Sequence, residues 1–109
     1  MRLTVGQQET ICRVIRDHFG PSVRITLFGS RADDSARGGD IDLLVESDLK
    51  PEEAFLQKLR AVSEIQRIIG DQKIDLITAP LSASAATAPL VVRKARETGI
   101  QLMTGGEHG

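Results

Sequence analysis

The 109-residue sequence predicts an α/β (α+β) fold in one domain, with a mixed sheet of about four strands packed with about three helices. Three observations predict it. Helical and alternating apolar patterns follow one another in the order helix, strand, strand, helix, strand, helix, strand. The connection between the first two strands is short, which favours a mixed sheet. A chain of 109 residues can bury one core but not a second of useful size. The domain is expected to span residues 1–104, with 105–109 a flexible tail.

The first helix runs from Thr4 to Phe19, where Ile11, Val14, Ile15 and Phe19 recur at helical spacing. Thr4 is its cap, and Gly20-Pro21 stops it. His18 is read as a helix C-terminal residue favoured by the dipole, and Cys12 as a core residue. Val23 to Phe28 alternates and is rich in β-branched residues, as a half-buried strand should be. Gly29-Ser30 turns the chain, and "RADDSARGG" reads as a polar loop. "IDLLVE" is the second strand. The second helix lies between Asp48 and Gly70, with Pro51 in its first turn and Phe55, Leu59, Val62, Ile65 and Ile69 expected on its core face. "KIDLITA" is the third strand. After the small-residue stretch "LSASAATA", a helix begins at Pro89, runs through Thr98 and stops at Gly99. "VVRKARE" within it is read as an ordinary helix with a solvated face. A short strand, "IQLM", closes the sheet.

The composition narrows the function. A net charge of -1 lacks the basic excess that grips duplex phosphates, and three Phe with no Trp or Tyr make a poor base-stacking platform. Both argue against direct nucleic-acid binding. A single cysteine allows no intrachain disulfide, and the N-terminus shows no signal-like core or membrane-spanning run. A cytoplasmic setting without membrane association is expected.

The chemistry concentrates in "LFGSRADDSARGGDIDLLV". Asp40 and Asp42 lie two apart on a strand and so project from one face, with Ile41 and Leu43 on the other. Carboxylates this close raise one another's pKa unless they share a cation. If the third strand neighbours the second, Asp75 brings a third carboxylate to the same place, where it would be costly to bury without a partner. An all-oxygen set with no His or Cys nearby suits a hard cation such as Mg2+ and not zinc. Ahead of the acids, Gly29 allows close backbone approach to an anion, Ser30 offers a hydroxyl and an amide, and Arg31 brings a positive charge. Arg31 serves either the phosphates or an ion pair with Asp33 or Asp34. The elements together describe a metal-plus-triphosphate site.

"GSRADDSARGGDIDLLV", followed by "KIDLI", resembles the signature of the nucleotidyltransferase superfamily that includes DNA polymerase beta, and most closely its minimal nucleotidyltransferases. The resemblance implies that Gly29, Ser30 and Arg31 hold a nucleoside triphosphate and that Asp40, Asp42 and Asp75 are the catalytic, metal-binding acids of a two-metal site. It also implies transfer of AMP from ATP to a hydroxyl. Minimal members pair with a small helical HEPN toxin, so the resemblance further implies an antitoxin that modifies a tyrosine of that partner. The chain departs from the family pattern where Asp33 and Asp34 stand in place of Arg-Gly. That acidic loop motivates one alternative, a catalytically impaired module that neutralises its partner by occlusion. A second alternative is a small-molecule nucleotidyltransferase of antibiotic-modifying type, a homo-oligomer whose second copy completes the acceptor pocket.

Overall fold

A computed structural model describes residues 3–29, 40–82 and 88–102. The loop from Ser30 to Gly39, most of the "LSASAATA" stretch and the expected tail lie outside the described residues. Helix α1 (Val5–Phe19) begins at Thr4 with a capping box. The Gln7 amide donates to Thr4 Oγ1 at 3.0 Å, and the Thr4 amide donates to Gln7 Oε1 at 3.1 Å. These bonds satisfy backbone donors that the first helical turn leaves unpaired.

Strand β1 (Arg24–Phe28) pairs antiparallel with β2 (Ile41–Ser47), in a register that sets Phe28 opposite Asp42 and Arg24 opposite Glu46. Helix α2 (Pro51–Ile69) then crosses over so that β3 (Ile74–Pro80) runs parallel to β2, with Asp42 opposite Asp75. Helix α3 (Leu90–Thr98) leads into β4 (Ile100–Gln101), which pairs antiparallel with β1. The sheet order is β3-β2-β1-β4, a mixed sheet of the expected kind.

Both faces of the sheet are covered. Ile25, Leu27, Ile41, Leu43 and Val45 pack with Ile11, Val14 and Ile15 of α1 and Ala61 and Ile65 of α2. Leu44 and Ala79 face the other way, against Val92 and Ala95 of α3. Coverage on two sides explains why β2 is a continuous apolar run after its first acids. Cys12 is buried in the larger core, as expected.

The core face of α2 follows the expected one at Ile65, which is buried, and at Val62 and Ile69, which pack against the core, but not at Phe55 and Leu59. Ala54, Ala61 and Ile65 are its buried residues, whereas Phe55 and Leu59 are 58% and 52% exposed. The small side chains Ala54 and Ala61 turn inward, and the larger Phe55 and Leu59 lie on another arc of the helix. Two polar contacts also exceed the sequence reading. His18 joins α1 to α2, with Nδ1 3.1 Å from Gln57 Oε1 and Nε2 2.9 Å from Glu64 Oε1. Gln57 Nε2 donates to Glu53 at 2.6 Å, which fixes the amide so that its oxygen faces the imidazole. Both ring nitrogens therefore meet side-chain oxygens of α2, and the imidazole ties the two helices together. In α3, Arg96 is partly buried and turns toward the sheet. Its Nε and Nη2 donate to Oε2 of the fully buried Glu46 at 3.0 and 2.5 Å, and Arg24 approaches Oε1 at 3.5 Å.

Among the described residues, no helix is long and apolar enough to cross a membrane.

Candidate active site

Strand alternation aims Asp40, Asp42, Leu44 and Glu46 at the face that α3 covers. The covering ends before the acids. Leu44 lies beneath α3 and is fully buried, while Asp40 and Asp42 keep partial exposure at the start of β2. The parallel register puts Asp75 beside Asp42 at the start of β3, and the antiparallel register puts Phe28, and after it Gly29, on the other side. One edge of the sheet thus presents Asp75, Asp42 and Gly29 in a row across three strands about 4.8 Å apart. Asp75 is exposed, so the expectation of an acid costly to bury is corrected. The acid needs no compensating partner because β3 emerges from the protein at this point, ahead of the buried Leu76.

Gly29 adopts φ of +73°, and the Asp42 side chain lies directly against it. A Cβ at this position would overlap Asp42 Oδ2 and stand 3.2 Å from its Cγ. Only glycine meets both demands, the left-handed backbone and the close approach. The turn after β1 and the acid of β2 therefore fit each other directly. Ser30 and Arg31, expected to contact phosphates, lie outside the described residues.

The electrostatics single out Asp42. Its pKa is raised, first by burial, then by repulsion from Asp75 and from Asp40, with Lys73 acting in the opposite direction. Lys73 escaped the sequence reading. Its Nζ stands 3.6 Å from Asp40 Oδ2, and both side chains are substantially exposed. The signal was available: Lys73 precedes Asp75 by two residues and so shares its side of the strand. Its carbonyl also accepts from the Ile41 amide at 2.9 Å, locking the start of β3 to that of β2. As the side chains stand, no three carboxylate, imidazole or thiol groups among the described residues converge tightly enough to hold an ion. Asp40 and Asp75 nevertheless act on Asp42 through their charges, and every donor in the set is an oxygen.

Residues 9–99 match the nucleotidyltransferase domain family. The chain belongs to that family. The match runs from α1 to the end of α3 and contains Gly29, Asp40, Asp42 and Asp75. In this nucleotidyltransferase domain, the three helices and the four-stranded mixed sheet of the described residues agree with the expected fold. Among solved structures, a chain in the crystal structure of the toxin-antitoxin MntA-HpeT, in a mutant form with two Asp-to-Glu substitutions, is similar at a TM-score of 0.59 and 22% identity. The likeness covers 91% of this chain and 74% of that one. No curated protein matches the sequence significantly.

Proposed function

We propose that this nucleotidyltransferase domain moves AMP from ATP to a hydroxyl, that of a tyrosine on a partner HEPN-type toxin, and serves in the cytoplasm as the antitoxin of the pair. The observation that carries the reading is the row of Asp75, Asp42 and Gly29, with Asp40 beside it and the Asp42 pKa raised by burial and then by its acidic neighbours. Repulsion maintained at an accessible edge fits a site made for a cation and an anionic substrate. The antitoxin role draws support from the similarity to the MntA-HpeT structure, in which two aspartates were the residues chosen for substitution.

Asp40, Asp42 and Asp75 would hold Mg2+, since hard oxygen donors suit it, and the exposure of Asp40 and Asp75 permits the side-chain rotation needed to close the set. Bound there, the metal would supply neutralisation of the triphosphate charge and orientation of the reacting groups. The chain's own residues do the rest. Gly29 lets the turn backbone approach the phosphates, with Ser30 and Arg31 next to it in sequence as their further contacts. The acceptor oxygen attacks the α-phosphorus, and a new P–O bond forms as the α–β bridging P–O bond breaks. Pyrophosphate leaves with the electron pair, and the hydroxyl proton passes to Asp75, the most exposed acid of the three.

The test uses purified full-length protein, Mg2+, α-labelled ATP and a co-purified or candidate HEPN partner. Label should appear on the partner with the wild type and be lost in Asp42→Asn and in Asp75→Asn. Full labelling by either variant would end the proposal. Partner inhibition that survives in unlabelled form would replace modification by occlusion.

A further inference from the structure

Helix α2 carries its most apolar exposed surface away from the sheet. Phe55, Leu56 and Leu59 are 58%, 40% and 52% exposed and lie along one side of the helix. The outward residues Glu52, Leu56, Leu59 and Ser63 are spaced by four, three and four positions, the spacing of a coiled-coil seam. Charge along this face is divided. Glu52 and Glu53 occupy the first turn, and Arg60 and Arg67 follow toward the C-terminus.

We infer that α2 is a self-association surface on which a second copy of this chain packs its own α2 in antiparallel orientation. A twofold axis between Gln57 and Lys58 sets Leu56 of each copy against Leu59 of the other, giving two leucine layers. On one flank, Glu53 of each copy then meets Arg60 of the other. On the opposite flank Phe55 meets Val62. Both flanks complement themselves in this register, as a twofold interface requires. The parallel alternative would set Arg60 of each copy beside Phe55 of the other and leave Glu53 facing no opposite charge. The seam ends in Glu52 and Ser63, which limits the apolar contact to its centre. The catalytic acids lie on the other face of the sheet, so pairing leaves them open, and the inference stands apart from the proposed activity.

The experiment is sedimentation velocity on the full-length protein across a dilution series. The wild type should dimerise. Leu59→Glu should raise the dissociation constant at least about thirtyfold, the effect of losing a central hot spot. Glu53→Arg and Arg60→Glu should each weaken the dimer, and their combination should restore it. Circular dichroism should remain unchanged throughout, because all these side chains are exposed. A wild type that stays monomeric would overturn the inference in favour of a different protein on this face. A dimer indifferent to Leu59→Glu, or a charge reversal without recovery, would overturn it equally.

Discussion

Replacing Gly29 with alanine separates two demands that the structure places on one atom. The φ of +73° costs an L-residue about 1–2 kcal/mol. The new methyl would also collide with the Asp42 carboxylate, and driving that side chain off its rotamer adds about 0.5–1.5 kcal/mol. Gly29→Ala should therefore destabilise the protein by roughly 2–3 kcal/mol, at about 4–8 °C of melting temperature per kcal/mol for a domain near this size. A double-mutant cycle with Asp42→Ala apportions the cost. Alanine at 42 removes Oδ2 and Cγ but leaves Cβ, which is 3.4 Å from the added methyl. The rotamer part should vanish in that background while the backbone part persists. Urea unfolding of the four proteins gives the coupling directly. Costs that add to within about 0.3–0.5 kcal/mol would show that Gly29 and Asp42 do not shape each other, and the reasoning would fail.

Arg96→Ala should destabilise the fold by about 3–5 kcal/mol in urea titration, because it strips the short contacts from a Glu46 that is fully buried. Substituting Glu46 and Arg96 together by methionine should recover much of that loss. Asp42→Asn should raise the melting temperature of the metal-free protein at neutral pH. The sign follows from linkage. A raised folded-state pKa means the native state holds its proton longer, so stability falls as pH rises from the unfolded value of 3.8 through the folded one, and ionised Asp42 is a burden above that window. A neutral-pH melting point unchanged or lowered by Asp42→Asn would contradict it. Glu64 behaves oppositely. The hydrogen bond from His18 lowers its pKa, so its contribution is present above 4.5 and is lost as pH falls through the depressed folded value. Melting curves of wild type and Glu64→Gln should converge in acid and diverge above pH 4.5.

Element order, the mixed sheet and the meeting of Asp42 with Asp75 were legible in the sequence because each depends on short-range pattern. Period-2 alternation and a short first connection suffice for them. The core face of α2 was legible only in part, at Val62, Ile65 and Ile69. Five large apolar residues at helical spacing look inward, yet the chain turns Ala54 and Ala61 to the core and leaves Phe55 and Leu59 outside. Hydrophobic periodicity reports an apolar arc and not the direction in which it points. The Glu46–Arg96 pair was hidden for another reason. Its members stand 50 positions apart, and nothing local distinguishes a buried glutamate at a strand end from a solvated one. His18 was placed at the helix end correctly, but its partners on α2 depend on how the two helices meet.

Along one face of β2, two acids four positions apart are treated in opposite ways. Glu46 is wholly buried, and the fold supplies it with Arg96 from α3 and Arg24 from the facing position on β1. Asp42 is less buried, yet it faces Asp75 and Asp40, and the opposing charge comes from Lys73, whose contact with Asp40 is long and solvated. A sheet able to neutralise a deeper carboxylate with two arginines could have neutralised a shallower one. Repulsion left in place therefore marks a charge deficit to be filled by something that binds. The anchored end also keeps α3 fixed to the sheet, so the edge of that cover, and with it the exposure of Asp42, does not drift. On this argument the structural glutamate serves the aspartates proposed as catalytic at a distance. Loosening α3 by Arg96→Ala should then shift the pH dependence of divalent-cation binding at Asp42 in the protein that remains folded, a change that calorimetric titration would read.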